Sequence, residues 1–452
     1  MNKKRFSLPT SHIIMLSFLV VVFLGSFLLA LPISWAEGKS VSYIDALFTS
    51  TTATCVTGLV TLPTFSTWSV FGQIVILFLI QIGGLGVVTV LSGVMIALHK
   101  KMGLGNRLLI QDTFNLNSLS GLIKFVKKVI KGTLLVEGIG ALCYMTVFVP
   151  DFGLKGIWIS VFNSVSAFCN AGIDIFASNS LCDYATNPMI NIVTSLLIII
   201  GGIGYVVWWD IIRIAKIFPK YKLKSFGFLT LHSKIALLTT IILIISGGLL
   251  IFIFEYNNPL TLKDYSLFDK LQISFFQSVT TRTAGFASVD QQSLTNSSAI
   301  VSLLLMLIGG SPVGTAGGVK TVTVAILLVS AFATVGNKSE VSMFNRNVSK
   351  QALKKAVAVV TMFIIIMLTS ALLLSAVTDA ALVDILYETV SATATVGLSR
   401  NLTSTLNIWG KLIIIATMYL GRIGPISLAI AFNIKTTNKN IIKNPTEEIS
   451  IG

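Results

Sequence analysis

Residues 48–59, FTSTTATCVTGL, decide the fold because the chain carries four versions of them. The counterparts are FNSVSAFCNAGI at 162–173, FQSVTTRTAGF at 276–286 and YETVSATATVGL at 387–398. Each is a short polar run ending on a glycine, and these glycines, Gly58, Gly172, Gly285 and Gly397, stand 114, 113 and 112 residues apart. Self-similarity at a constant period marks a repeated structural unit.

Each copy lies between two apolar runs of the length that crosses a bilayer, about 20 residues. The pairs are 13–33 and 70–98, 130–148 and 190–212, 235–254 and 299–335, and 357–377 and 409–434. The predicted unit is helix, short amphipathic helix, glycine loop, helix, and four units make eight spans. Composition agrees: the 452 residues are 54% hydrophobic and 11% charged, with mean hydropathy +0.86, where a soluble domain carries about 25% charged residues. No stretch remains for a sizeable soluble domain.

The net charge of +15 follows topology, not nucleic acid. Of the 33 lysines and arginines, 24 fall at the N-terminus, in 100–131, 213–234 and 338–355, and in the tail 435–443. Acids such as Glu37, Asp151, Asp183, Glu255, Asp264 and Asp379 lie on the alternate connections. The positive-inside rule then makes both termini cytoplasmic, which requires an even number of spans. The first apolar run, 21 residues, exceeds a signal-peptide core of about 7–15 and reads as a retained helix. Four cysteines without CxxC spacing and three histidines support neither a disulfide framework nor a zinc site.

Irregular backbone at membrane depth survives only when buried in protein or lining water. Four such segments around a pseudo-fourfold axis would converge, each short helix aiming its negative C-terminal dipole at the centre. The following loops would offer backbone carbonyls to a dehydrated cation. The residues concerned are Thr54, Cys55, Val56, Thr57 and Gly58; Cys169, Asn170, Ala171 and Gly172; Thr283, Ala284 and Gly285; and Thr395, Val396 and Gly397. A loop whose carbonyls all face one axis needs at least one residue in a conformation disfavoured for L-residues, and the glycines are the candidates. The expected fold is an all-α membrane protein of four helix, pore helix, filter loop, helix repeats around a pore.

The second helices carry IGGLG, IGGIG, IGGSP and LGRIG, which places Gly84, Gly202, Gly310 and Arg422 at one equivalent position. A cation costs about 2.5–3.5 kcal/mol or more in hydrocarbon and therefore faces protein or water, so Arg422 is expected to project toward the axis below the filter. The run 299–335 would extend roughly 55 Å as one helix, against a core of about 30 Å. It must break at GGSPVGTAGG, residues 309–318, a candidate gate whose Gly309, Gly310, Gly314, Gly317 and Gly318 make it flexible and whose carbonyls can bond Arg422. The following GGVKT lacks the glycine and the preceding strand of a phosphate-binding loop. Arg282 is expected to brace the third filter, and Glu137 to pair with Lys131.

The units are 1–12, a cytoplasmic N-terminus; 13–98, repeat 1; 99–212, repeat 2 with its preceding connection; 213–335, repeat 3 with a broken second helix; 336–434, repeat 4; and 435–452, a cytoplasmic tail. No intramembrane Asp pair, HExxH motif or Ser with a His or Lys partner supports an enzyme. The alternative to a pore is a secondary transporter with obligatory sodium or proton coupling, although such folds usually repeat in two parts.

TATCVTGL, TTRTAGF, GGSPVGTAGGVKT and GRIGP together give the whole chain its resemblance to the superfamily of bacterial Trk and Ktr potassium uptake proteins and plant HKT transporters. It most resembles the KtrB-like pore-forming subunits. The resemblance implies potassium as the transported ion, held at the filter carbonyls, with sodium as an activator and no cofactor in this chain. It implies a homodimer in a bacterial cell membrane, surrounded by lipid and seated on a cytosolic KtrA-like RCK ring that binds ATP or ADP. Glycine at all four filter positions goes with potassium preference in that superfamily, and serine at the first with sodium transport in some plant members. The superfamily's intramembrane loop carries over to residues 309–318 and its pore arginine to Arg422.

Overall fold

The computed structural model describes residues 10–98, 103–113, 121–176, 179–338 and 340–424. The first repeat comprises α1 (Thr10–Leu29), α2 (Tyr43–Cys55), the single turn α3 (Thr64–Thr67), α4 (Val70–Leu85) and α5 (Val87–Ala97). A connecting α6 (Leu104–Thr113) leads to α7 (Leu122–Phe152), α8 (Lys155–Cys169), α9 (Pro188–Gly202) and α10 (Tyr205–Tyr221). The third repeat holds α11 (Leu231–Glu255), α12 (Leu267–Thr280), α13 (Asn296–Leu307) and α14 (Thr321–Val335). A small hairpin of β1 (Ser342–Met343) and β2 (Arg346–Asn347) precedes α15 (Lys350–Ser375), α16 (Leu382–Ala394) and α17 (Ile408–Ile423).

The first helix of every repeat, α1, α7, α11 and α15, is long and apolar enough to span a membrane unbroken. Their outward side chains, among them Phe27, Leu135, Ile245 and Leu372, are exposed, as lipid-facing residues should be. Each second helix begins at a capping side chain: Ser69, Asn187, Thr295 and Asn407 accept from the backbone N–H groups of Gly72, Met189, Ser298 and Gly410. These caps satisfy donors that the first turn leaves orphaned.

Expectation and structure part in the second helices. Runs 70–98 and 190–212 read as continuous spans, but they bend by 97° and 100°. The turning residues are Gly86 (φ 84°, ψ 135°) and Gly204 (φ 90°, ψ 140°), a conformation open to glycine and closed to a helix. The break expected in the third repeat is there, between α13 and α14. By length and composition four helices, or six if each bent pair is one span, can cross a membrane among the described residues. The remaining two of the eight expected spans are the split pair α13/α14 and α17, whose continuation to residue 434 lies outside the described residues. The tail 435–452 and most of the segment 1–12 also lie outside them.

The centre is polar and the rim apolar. The C-terminal halves of α2, α8, α12 and α16 are largely buried among the longer helices, and Ser50, Thr51, Thr52 and Thr54 of α2 are fully buried. An unpaired polar group in a dry interior costs about 1–3 kcal/mol, and one serine of each of three short helices avoids that cost. Ser50 Oγ donates to the Val22 carbonyl at 2.6 Å, Ser164 Oγ to that of Glu137 at 2.6 Å, and Ser278 Oγ to that of Ile244 at 2.9 Å. In three repeats, therefore, the same serine ties the short helix to its own first helix. The ring closes where repeat 4 meets repeat 1, with Lys411 Nζ of α17 at 2.6 Å from Asp45 Oδ1 of α2.

Candidate functional site

The four short helices deliver their C-termini to one place. A Cβ added at Gly58 would lie 2.5 Å from the Ala171 carbonyl, at Gly172 2.6 Å from that of Ala284, and at Gly285 2.5 Å from that of Val396, while at Gly397 it would collide with that of Thr57. Each glycine thus abuts the residue preceding the next repeat's glycine, and the order 1, 2, 3, 4 returns to 1. The segments form a closed ring with pseudo-fourfold symmetry.

Their backbone conformation repeats as well. The glycines have φ of 100°, 63°, 83° and 100°, and two residues earlier Val56, Asn170, Thr283 and Thr395 have φ of 56°, 60°, 68° and 52°. Sequence reasoning expected the left-handed glycine and missed this second position, where no one residue type recurs in all four repeats. A non-glycine there costs about 1–3 kcal/mol and persists only when its surroundings hold it. Hydroxyls one turn back on the short helices supply part of the hold. Gly58 N donates to Thr52 Oγ1 at 3.0 Å, Gly397 N to Ser391 Oγ at 3.0 Å and Ile173 N to Ser166 Oγ at 3.1 Å.

The third segment is one residue shorter: eight positions separate Ser50 from Gly58 and Ser164 from Gly172, but seven separate Ser278 from Gly285. Here Thr280 Oγ1 instead donates to the Phe286 carbonyl at 2.6 Å. Arg282 occupies the position that Cys55, Cys169 and Ala394 hold elsewhere. It does not brace its own filter backbone as expected; its guanidinium lies 3.5 Å from the Gly309 carbonyl and 3.4 Å from Thr240 Oγ1. The tighter turn sends that side chain away from the filter strand, toward the break between α13 and α14.

Beneath the ring lies the glycine-rich segment 308–320. Its ends are pinched together by Gly309 N donating to the Val319 carbonyl and Val319 N to that of Leu307, both at 3.0 Å. Its middle enters the bend of repeat 2, where Ser311 N donates to the Gly202 carbonyl (2.8 Å) and Tyr205 N to that of Val313 (3.0 Å). Gly310 and Gly314 lie against the Gly202 carbonyl and Gly317 against Thr395, while Gly318 has φ of 65°. Arg422, from α17, donates through Nη1 to the Thr315 carbonyl at 2.7 Å and through Nη2 to the Gly83 carbonyl. Lys320 Nζ donates to the Ala316 carbonyl at 2.6 Å, an internal tie rather than a phosphate grip.

Glu137 does not pair with Lys131. Six residues apart on α7 they point to different faces; the Glu137 carboxylate is buried and accepts from Gln81 Nε2 at 3.4 Å, with Cys169 Sγ 3.9 Å away. Among the described residues no group of three or more His, Cys, Asp or Glu side chains could hold a metal, and all four cysteines are free.

The glycine preceding Gly84, Gly202 and Arg422 also escaped sequence reasoning. A Cβ at Gly83, Gly201 or Gly421 would collide with the carbonyl of Thr54, Phe168 or Thr393, the ends of the short helices. The signal was its recurrence in IGGLG, IGGIG and LGRIG, where only the following position was compared. Gly421→Ala is expected to lower the yield of folded protein several-fold, since overpacking backbone against backbone costs about 1–3 kcal/mol or more. Gly138→Ala, on the lipid face with open space around it, should leave it unchanged. Fluorescence-detected size exclusion of the two variants checks this; equal monodisperse peaks would contradict it.

Comparison with known proteins agrees with this architecture. The family described as "TrkH: Cation transport protein" matches residues 4–444. The potassium/sodium uptake protein NtpJ of Enterococcus hirae is 37% identical over all of this chain and 99% of its own length. The Ktr system potassium uptake protein B of Bacillus subtilis is 38% identical over 99% of this chain and 97% of its own. The crystal structure of the potassium transporter TrkH from Vibrio parahaemolyticus matches the fold with a TM-score of 0.76 at 16% identity, covering 97% of this chain and 87% of that one.

Proposed function

Because this chain belongs to the TrkH family of cation transport proteins, a family of transporters rather than enzymes, we propose that it takes up potassium through one pore per chain. The observation that carries the reading is the closed ring of four glycine segments, each at the C-terminal end of a buried helix. Partial negative charge at helix ends and inward carbonyls offset dehydration of a monovalent cation. Potassium comes from the names of the relatives, and sodium, present in one of those names, is assigned the part of activator.

In this reading the segment 308–320 and Arg422 form the gate. The loop lies under the filter, and the guanidinium places a fixed positive charge beside the path while bonding the loop. A positive charge beneath the filter raises the energy of a cation there. The protein sits in the cell membrane with both termini inside, as a homodimer on a cytosolic nucleotide-binding ring of KtrA-like subunits. The basic inner connections 100–131, 213–234 and 338–355 and the tail from Lys435 onward are the docking surface for that ring.

Flux in liposomes tests the reading. Purified protein, given a gradient of potassium alone or of sodium alone and no co-ion gradient, is expected to pass potassium and to prefer it. If transport appears only after a co-ion gradient is imposed, obligatory coupling replaces the pore.

A further inference from the structure

The residues two places before the filter glycines have a second partner. Asn170, Thr283 and Thr395 all meet the loop at residues 315–317. Thr283 Oγ1 accepts from Gly317 N at 3.2 Å. Thr315 Oγ1 donates to the Phe168 carbonyl at 3.1 Å and lies 3.5 Å from Asn170 Oδ1. Gly317 also packs against Thr395 Oγ1 and the Ala394 carbonyl, with no room for a Cβ. All these side chains are buried. The fourth member of the set, Val56, is apolar, and on that side Arg422 makes the connection through the Gly83 carbonyl and the Thr315 carbonyl.

We infer that Thr283 and Thr315 are positioning residues for ion selection: the loop is a strut that holds the filter in its selective conformation, so gate and filter are one mechanical unit. This rests on the pore reading above and extends it. The residues at this level are held in left-handed backbone, which relaxes unless its surroundings over-determine it. The loop supplies part of that constraint from below, as the hydroxyls of Thr52, Ser166 and Ser391 do from behind. When the loop withdraws, three of the four filter segments lose a contact at once. Selectivity then depends on the position of the gate. A loop that merely plugged the pore would change how many ions pass and leave their ratio untouched.

The test is paired potassium and sodium flux through the full chain in liposomes, for wild type, Thr283→Val, Thr283→Ser and Thr315→Val. Loss of one hydrogen bond in Thr283→Val, which keeps the shape of the side chain, should raise total flux about threefold and lower the potassium-to-sodium ratio about threefold. Thr283→Ser should restore both. Thr315→Val, acting from the loop side, should shift the ratio in the same direction, and it decides the matter if Thr283→Val does not purify as a monodisperse protein. Raised flux at an unchanged ratio, or no change in either quantity, overturns the strut. A wild type that passes no potassium without a co-ion gradient overturns the pore reading itself, and the strut with it.

Discussion

Gly58→Ser is expected to lower the potassium-to-sodium preference by about tenfold, a change of about 1.4 kcal/mol in relative ion stabilisation. Two physical terms act together. Gly58 has φ of 100°, where an L-residue carries a strain of about 1–3 kcal/mol. Its new Cβ would also lie 2.5 Å from the Ala171 carbonyl, which belongs to the neighbouring filter segment. The backbone must rotate and that carbonyl must move, so one substitution disturbs two of the four sides of the ring. Loss of carbonyl order removes the discrimination between two ions of equal charge and different hydration. Rubidium and sodium tracer uptake measures it, and continued sodium conduction shows that the variant is folded. An unaltered ratio would remove Gly58 from the filter.

Arg422→Ala is expected to raise potassium flux of the purified chain at least tenfold. The guanidinium bonds the carbonyls of Thr315 and Gly83, and hydrogen bonds to a charged group contribute about 1.5–3 kcal/mol each. Alanine removes both and also removes the fixed charge below the filter, so the loop is released while the path becomes more favourable to cations. Arg422→Lys separates the two effects: it keeps the charge, but a single ammonium lacks the planar fork that spans two carbonyls, so an intermediate flux is expected. Uptake unchanged or reduced in Arg422→Ala, at equal amounts of folded protein, counts against the gate.

The repeat made most of the fold legible. A polar, glycine-ending segment between apolar runs is ambiguous once and informative four times; helix length required a break in run 299–335, and its glycines and proline placed it at residues 309–318. What stayed hidden was backbone conformation at residues of ordinary type. Val56, Asn170, Thr283 and Thr395 share a left-handed φ but not one residue type, so neither pattern nor composition singles them out. The bends at Gly86 and Gly204 were missed because the glycines of IGGLG and IGGIG were read for the side chains they lack, whereas the third of each set acts through its dihedral angles. Glu137 and Arg282 were assigned by nearness in sequence, but helix phase and the one-residue deletion in the third segment turn them to other partners.

Because the ring is written in one chain, its sides need not match. A pore of four identical subunits applies every substitution four times and possesses four gates, which can open one by one. Here, among the described residues, the long glycine-rich interruption occurs in repeat 3 alone, and the arginine stands in repeat 4 alone, where the other three repeats have glycine. In the pore proposed above, one lock and one bolt serve each conduit. In that proposal, opening has no partial stages set by subunit count.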